Sequence, residues 1–500
     1  MSYITMNNHL PRFNIRRQQT TNIIMITFWS QFSTYALNTI LILFLTRPLF
    51  QHGLGYNQAK AYAFIGISQA TGYLMPILGG YMADSVLGMR RSILLGSILL
   101  ALAYLLIMLS GYTIDTQGDF LFIAAYALTP AANSLLMGTA SGMVSHIYSD
   151  DAIRAKSAMT FYYMAINVGA LFATIIAPSL VDSRYGPLSV LTVAFVGKSI
   201  AALNFAYKYK LYDTVIWGKD KVAMTLLVKS KIVVYLAAIY LFTLFAYSHI
   251  FLASIFISIG CGLGIFWFLI KTFSLSGKAR YTQLIASLLI LEAIVFFIIY
   301  HQMNSTLVLF ALNNSNLLLL GFKISPAHYQ MLNPLLIIAL GLQLPRFYKK
   351  FPHFSIPYQF ASGTLLAGAA LLVMAYAATQ AHQGLVNGNY IAFTYILISL
   401  AELWVSAIGL SMIGLYCDTR ALGFAMGVWY LAVSLSSSLS GTLAGWVAIP
   451  ENITSPLQSL PIYQHYYLCM GVTAFILGGS MLLLARYLQG VLRKRGVVLA

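Results

Sequence analysis

The chain has 500 residues, 59% of them hydrophobic and 8% charged, and carries a formal net charge of +17. This composition excludes a water-soluble globular domain, because the polar surface needed to coat one is missing. The positive charge does not indicate nucleic-acid binding, since a nucleic-acid binder gathers its cations on one soluble face and these cations recur along the chain. The sequence therefore predicts a protein whose main solvent is lipid.

Apolar stretches of about 20 residues, each long enough to cross a hydrocarbon core of about 30 Å, recur from Asn22 to Leu488. Lipid offers no partner to unpaired backbone groups and nothing here alternates like barrel strands, so the stretches should be helices. We predict fourteen, at 22–46, 59–83, 91–111, 120–147, 158–180, 188–207, 232–247 and 251–270, with six more between 281 and 488. The first run is too long for a signal-peptide core, so we expect it to remain in the mature protein.

The cations are distributed unequally between the two sides of the membrane. One set of loops holds only Arg47, Lys60, Arg184 and Lys323. Lys198 falls within a span, and all other lysines and arginines of the 29 fall on the opposite side. Because the positive side of a membrane protein faces the cytoplasm, we predict a multi-pass protein with both termini cytoplasmic.

The predicted helices divide into groups of six, two and six. We expect a six-helix bundle at 1–207, a cytoplasmic linker with two extra helices at 208–280, and a second six-helix bundle at 281–500. Two such halves suit alternating access, in which the halves rock around a site near the bilayer midplane. The motif GTLAG at 441–445 predicts a close helix contact, the usual role of small residues in membrane helices.

No feature of the sequence predicts catalysis or a bound cofactor. Cys261, Cys417 and Cys469 are isolated and lack ligand spacing, so we expect neither a disulfide nor a metal site. We find no nucleophile–base arrangement and no phosphate loop, and therefore expect that the protein is not an enzyme.

The loop between the second and third predicted spans reads GGYMADSVLGMRR at 79–91 and resembles the gating loop of major facilitator proteins. Asp84 at a helix end can accept bonds from a neighbouring helix while Arg90 and Arg91 hold the opposite edge, which would latch one conformation. These three residues are the gating candidates. The alternative is that the arginines only anchor the loop in its orientation.

Further segments resemble one family more narrowly. They are FYYMAINVGALF at 161–172, YHQMNSTLVLFALNN at 300–314, HYQMLNPLLII at 328–338, AELWVSAIGLSMIG at 401–414 and MGVWYLAVSLSSSLSG at 426–441. In this order they are similar to the proton-dependent oligopeptide transporter (POT/PTR) family of the major facilitator superfamily. The resemblance implies an all-α major facilitator fold of two six-helix bundles plus two extra helices, in a bacterial inner membrane, and peptide transport by symport.

By this resemblance the chain is a divergent member, because it lacks the ExxERF motif that serves proton coupling and substrate anchoring in the family. The corresponding segment reads TFWSQF at 27–32, with Thr27 and Ser30 at the positions of the two acids and Gln31 at that of the arginine. In the fourth span Met137 stands where the family has a lysine. The resemblance implies that the cationic pocket has been neutralised.

The family's anionic pocket persists as Glu402, with Asn333 and Trp429. An ionisable group inside a membrane is expensive and is normally retained for a function. We therefore hypothesise a substrate that offers an amine or other donor to Glu402 but lacks, or has masked, the carboxyl terminus of an ordinary dipeptide.

His301 replaces the acid of the family's YEQ motif in the seventh span. Since histidine titrates near pH 6.5 when unperturbed, His301 can serve as the proton site; alternatively, it only forms a hydrogen bond within a helix contact. Glu402 is the second candidate for proton coupling. Glu292 is left outside the site, either paired with Lys198 or extended towards the membrane surface.

The candidate substrate-binding residues come from motif positions in both halves of the chain. They are Tyr35, Asn38, Tyr163, Asn167, His301, Asn333, Glu402 and Trp429. The resemblance implies secondary transport of peptides or peptide-like, amine-bearing small molecules by alternating access, with proton coupling altered or lost. The expected partners are this substrate, the lipid bilayer and protons, without nucleic acid, and the expected state is a monomer.

Two other functions fit the sequence. The first is a major facilitator exporter or importer of a siderophore, a drug or another metabolite. The second is a transport-dead membrane sensor, although the cytoplasmic segments are too short for a signalling domain of their own. A screen of cargo on the purified protein distinguishes the first alternative from peptide uptake.

Overall fold

The computed structural model describes residues 9–215, 218–351, 353–418 and 421–494. Most of these residues are helical. The α-helices are α1 (His9–Thr46), α2 (Gln58–Met82), α3 (Met89–Gln117), α4 (Phe120–Leu136), α5 (Thr139–Ile147), α6 (Ala152–Val181), α7 (Pro187–Tyr207), α8 (Leu226–Ser248), α9 (Ile250–Phe273), α10 (Gly277–Tyr300), α11 (Thr306–Asn314), α12 (Leu332–Gly341), α13 (Leu344–Lys350), α14 (Ile356–Thr379), α15 (Gly388–Tyr416), α16 (Leu422–Ala444) and α17 (Pro456–Lys494). Of the cations predicted to be cytoplasmic, Arg420 and Arg495 lie outside the described residues.

Short elements connect the long helices. A two-stranded antiparallel hairpin joins β1 (Leu318–Leu319) to β2 (Phe322–Lys323). A π-helical turn lies at Ala83–Leu87, and 3-10 helices lie at Leu49–Gln51, Tyr209–Val215, Gly218–Lys221, His301–Asn304, Pro326–Met331 and Gly445–Val447.

Twelve helices of the described residues are long and apolar enough to cross a membrane, and thirteen if the bent pair Pro326–Gly341 and Leu344–Lys350 is one span. The predicted span at 59–83 corresponds to α2, a 25-residue helix that is not among them. Its polar residues, including Ser68, Gln69 and Thr71, lower its mean hydropathy. By length and apolar composition, the described residues thus contain twelve to thirteen spans, whereas fourteen were predicted. The protein is an all-α multi-pass membrane protein.

The contacts divide the chain into two compact units. Among the described residues, unit 1 consists of 9–40, Arg47–Leu54 and Met75–Ser248, and unit 2 of Leu41–Thr46, Gly55–Leu74 and 249–494. In unit 1, α3 packs on α4 and α7, and α8 packs on α4. In unit 2, α14 packs on α15 and α17, and α9 packs on α16. The division into 1–207, 208–280 and 281–500 remains a prediction.

Glycines allow close helix packing within each unit. In unit 2, a Cβ added to Gly441 would lie 2.8 Å from the Tyr62 carbonyl oxygen and 2.9 Å from the Gly66 Cα. The helix contact predicted for the GTLAG motif is confirmed at Gly441, but Gly445 has open space around it, so the expectation is wrong there. The reason is that α16 ends at Ala444, one residue before Gly445.

In unit 1, glycines likewise allow α6 and α7 to pack closely against α1. A Cβ added to Gly169 would lie 2.7 Å from the Phe28 carbonyl oxygen, and one added to Gly197 would lie 2.3 Å from the Ser33 hydroxyl oxygen. The part of α1 that contains the TFWSQF segment is therefore held directly against two other helices.

Candidate functional site

The polar site of unit 2 is centred on Glu402, in the middle of α15. The side-chain amide of Asn333, in the first turn of α12, donates hydrogen bonds to Glu402 Oε2 at 2.6 Å and to Ser399 Oγ at 3.1 Å. The Ser399 hydroxyl donates in turn to the Tyr395 carbonyl at 2.7 Å, and the Tyr300 phenol also bonds to Glu402. Glu402 is thus a partly buried carboxyl group held by neutral donors.

Asn333 lies where one helix ends and another begins. The 3-10 helix Pro326–Met331 leads directly into α12, and Pro334 follows Asn333 in the first turn. Proline is tolerated there because the amide it lacks would have no intrahelical acceptor.

Trp429 fixes the helix that carries Glu402. Its side chain is 4% exposed, and its ring fills the space where a Cβ added to Gly409 of α15 would be, 2.0 Å from Cζ2. It also meets the Phe297 and Phe360 rings edge-on, with centroids 5.9 and 6.2 Å away. Trp429 therefore positions α15 through packing.

His301 lies at the start of the 3-10 turn after α10 and is 3% exposed. Its Nε2 is 2.8 Å from Ser437 Oγ, and the Ser437 hydroxyl donates to the Val433 carbonyl at 2.8 Å. Ser437 must then accept from Nε2–H, which leaves Nδ1 without a hydrogen-bond partner among the described residues. This arrangement suits a neutral imidazole that stacks on Phe297 at a centroid distance of 6.2 Å.

Two tyrosines near this site were not among the candidates. Tyr300 bonds to Glu402, and Tyr73 of α2 lies within electrostatic range of Glu402, with its ring centroid 6.3 Å from that of His301. Tyr300 was signalled by its place at the start of the YHQ motif. Tyr73 lies in none of the matched motifs, so nothing in the sequence singles it out among the 33 tyrosines.

The candidates of unit 1 lie on α1 and α6. Tyr35 and Tyr163 are 37% and 49% exposed, and Asn38 is partly buried. The Asn167 side-chain amide donates to the Tyr163 carbonyl in its own helix at 3.0 Å. The structure therefore groups the eight candidates into four on each unit, and it joins Asn333 to Glu402 and Asn167 to Tyr163 by direct hydrogen bonds.

Unit 1 contains a buried cation, Lys198, for which an ion pair with Glu292 was one expectation. Lys198 of α7 is 2% exposed, and its Nζ donates to the Ser30 carbonyl, the Ser30 hydroxyl and the Thr34 hydroxyl at 2.8 to 2.9 Å. The suggested pairing of Lys198 with Glu292 is wrong, since these three oxygens use all three ammonium protons. The Glu292 carboxyl group is instead buried within unit 2, next to the Thr364 hydroxyl.

The gating candidates also have partners that were not expected. Arg90 forms an ion pair with Asp213 and lies over the Tyr209 ring at 4.2 Å, while Arg91 donates to the Val222 carbonyl at 2.7 Å. Asp84 is exposed in the π-helical turn, and no bond joins it to a neighbouring helix within the described ranges. The segment after α7, predicted only as part of a cytoplasmic linker, therefore binds both arginines.

The apolar helices hold a bonded carboxyl group in unit 2 and a bonded amine in unit 1. Ionisable groups inside a membrane protein mark substrate or ion pathways, so this protein belongs to the class of membrane carriers. The POT family profile, PTR2, matches residues 90–460. Dipeptide and tripeptide permease A of Erwinia pyrifoliae is 32% identical over 482 residues, which is 93% of each chain. The same permease of Chromobacterium violaceum is 31% identical over 476 residues, 93% of this chain and 92% of that one.

The fold agrees with the sequence relatives. The crystal structure of tetrameric PepTSo2 superposes with a TM-score of 0.83 at 25% identity, over 95% of this chain and 99% of that one. The protein belongs to the POT family. The resemblance found in the motifs and the all-α major facilitator fold are both confirmed.

Proposed function

We propose that this protein is a secondary transporter that carries small peptides across the membrane by alternating access. The observation that carries the proposal is the Glu402 carboxyl group in the middle of a membrane helix, where the neutral groups of Asn333 and Tyr300 bond to it. A carboxylate has about four acceptor sites, so the bonds from Asn333 and Tyr300 leave capacity for a peptide ammonium group. The relatives named as dipeptide and tripeptide permeases support peptides as the substrate class.

The other candidate residues remain predictions within their own units. Tyr35, Asn38, Tyr163 and Asn167 of unit 1 offer phenol and amide groups to the polar backbone of a peptide. In unit 2, His301 and Glu402 remain the predicted proton-coupling residues, and Trp429 supports the site by packing. Asp84, Arg90 and Arg91 remain the predicted gating residues.

The proposal includes the membrane in which the protein lies, its orientation and its oligomeric state. We place it in the bacterial inner membrane with both termini cytoplasmic, as the distribution of cations favours. The two six-helix bundles, with two extra helices, move as a monomeric transport unit that exchanges a peptide and protons with the two aqueous sides. Light scattering of the purified protein tests the monomer, since PepTSo2 was crystallised as a tetramer.

Counterflow tests the proposed function. The protein is reconstituted into liposomes loaded with di-alanine, and uptake of labelled di-alanine is compared for the wild type, Glu402→Gln and Glu292→Gln. We expect uptake by the wild type and by Glu292→Gln, a matched buried glutamate outside the site, and its loss in Glu402→Gln. A wild type that binds di-alanine without counterflow would support a sensor instead.

Competition in the same assay identifies the groups that are recognised. N-acetylated di-alanine should compete poorly because it has no ammonium group for Glu402. Carboxyl-amidated di-alanine tests the prediction of a masked carboxyl group, which fails if the unmodified peptide competes better. If no peptide competes but a siderophore or drug does, the protein is a carrier of another metabolite.

A further inference from the structure

Lys198 is the buried cation that the proposed function leaves unused. It lies within α7, and Gly197 beside it lets α1 approach so closely that an added Cβ would be 3.4 Å from the Trp29 carbonyl oxygen. This contact brings the amine to the polar side of α1. There the Ser30 carbonyl, the Ser30 hydroxyl and the Thr34 hydroxyl accept its three protons.

No carboxylate of the residues that the structure describes balances this charge. In the described part of the chain, Lys198 forms no ion pair, and its three acceptors are all neutral. The titratable groups in the apolar parts of the packed helices are phenols: Tyr35 on α1, Tyr162 and Tyr163 on α6, and Tyr104 on α3. The Tyr104 ring centroid is 5.0 Å from Nζ. Burial without a counter-ion costs free energy in the charged state, and such a group is normally retained only for a function.

The three partners can satisfy the amine in both of its protonation states. The ammonium form donates three hydrogen bonds, as observed. The neutral form donates two, to the Ser30 carbonyl and Thr34, and accepts one if the Ser30 hydroxyl rotates its hydrogen towards Nζ. The Thr34 hydroxyl already donates to the Ser30 carbonyl at 3.0 Å, so the rotation at Ser30 is the only rearrangement required.

From this geometry we propose that Lys198 is a proton-binding residue of the transport cycle, taking up and releasing one proton as peptide is carried. The step is a simple transfer: a proton from water on one side adds to the Nζ lone pair and later returns to water on the other side. Thr34, which is partly exposed while Lys198 is not, provides the hydroxyl that links the amine to the surface of α1. This inference rests on the proposed carrier function and adds a proton site that is neither His301 nor Glu402.

Transport assays separate this role from a structural one. The full-length wild type, Lys198→Met and Lys198→Arg are reconstituted, and di-alanine counterflow without a gradient is compared with uptake under an inward pH gradient. We expect both variants to keep counterflow and to lose all stimulation by the gradient, because methionine carries no proton and arginine does not release one. Lys229→Met on exposed α8 is the matched control and should behave as the wild type.

Other outcomes overturn the proposal. Full gradient stimulation in Lys198→Met removes Lys198 from proton transfer. Stimulation restored by Lys198→Arg indicates a fixed charge with a structural role. A loss of di-alanine competition with unchanged competition by carboxyl-amidated di-alanine in Lys198→Met indicates that the amine binds the substrate carboxylate instead.

A second measurement does not depend on the substrate. The thermal unfolding of the wild type, Lys198→Met and Lys198→Arg is followed in detergent from pH 5 to pH 9. If Lys198 exchanges its proton in this range, the difference in Tm between the wild type and each variant changes with pH. A constant difference overturns the proposal. If the wild type shows no di-alanine counterflow, the proposed carrier function is refuted instead. The Tm series then still shows whether Lys198 titrates.

Discussion

The carboxylate of Asp220 occupies the space that a side chain on Gly88 would fill. A Cβ added to Gly88 would lie 2.3 Å from Asp220 Oδ1, and Gly88 has a φ of 88°, which side chains rarely adopt. Asp220 also accepts from the Arg90 backbone amide at 3.2 Å, across 130 residues of sequence. The linker thus closes the first turn of α3, where unpaired amides favour an anion.

Gly88→Ala should destabilise unit 1, because the new methyl group meets Asp220 and the backbone is strained at a positive φ. We expect a loss of roughly 1–3 kcal/mol, measured as the change in free energy of unfolding in detergent. Gly80→Ala is the matched control, since its added Cβ meets nothing within 4 Å. Equal stability of the two variants would show that Asp220 does not hold the linker against α3.

Asn333→Ala should raise the KM for di-alanine, because Glu402 loses the bond that orients its carboxylate. A hydrogen bond to a charged group contributes about 1.5–3 kcal/mol, so the expected rise is roughly tenfold or more. Uptake kinetics in liposomes measure it, with Asn313→Ala on α11 as the amide control outside the site. An unchanged KM in Asn333→Ala would mean that Asn333 does not orient Glu402 for the substrate.

Much of this architecture could be predicted from the sequence. Apolar runs specify helices because lipid leaves no other structure for the backbone. The Asn333–Glu402 pair followed from two motifs, since each residue stood at a position that resembled the family. The helix predicted at 59–83 corresponds to α2, although polar residues such as Gln69 and Thr71 keep it from counting among the apolar spans.

Lys198 could not be assigned because its partners are distant in sequence and neutral. Ser30 and Thr34 lie 168 and 164 residues away, and neither forms a charge pattern with a lysine. Gln31 and Met137, at positions where the family has cations, predicted a neutralised cationic pocket, whereas the structure brings a cation from α7 to Ser30. Asp220 escaped for the same reason, as its partners on α3 are 129 and 130 residues away.

Arg16 and Asp150 predict a stability contribution that depends on pH. Arg16 donates two hydrogen bonds of 2.9 Å to the Asp150 carboxylate, and this hydrogen bonding lowers the pKa of Asp150. A carboxyl group with a lowered pKa in the folded state stabilises the protein above its unfolded pKa of about 3.9, and this stabilisation is lost as the pH falls through the folded pKa.

Asp150→Asn should therefore have a lower Tm than the wild type at pH 7, and the difference should shrink on acidification below about pH 4. The difference should be small, because the Asp150 side chain is 62% exposed and solvent screens the pair. Adding salt at pH 7 should reduce it further. If neither pH nor salt changes the Tm difference, its cause is packing rather than charge.

Gly441→Ala tests the close contact of α2 and α16 in unit 2. A Cβ at Gly441 would lie 2.8 Å from the Tyr62 carbonyl, and one at Gly66 would lie 2.8 Å from the Ser437 carbonyl, so neither backbone can accept a methyl group without moving. We expect each substitution to cost about 1–3 kcal/mol of unfolding free energy, and the double variant to cost less than the sum, since one displacement relieves both contacts.

Gly445→Ala is the matched control for this contact. The residue lies just beyond α16, and its added Cβ meets nothing within 4 Å, so we expect a change of no more than about 0.5 kcal/mol. The displaced helix carries Ser437, the partner of His301, and the variants at Gly441 and Gly66 should therefore also slow di-alanine uptake. If Gly441→Ala is as stable and as active as Gly445→Ala, the contact does not limit the position of α16.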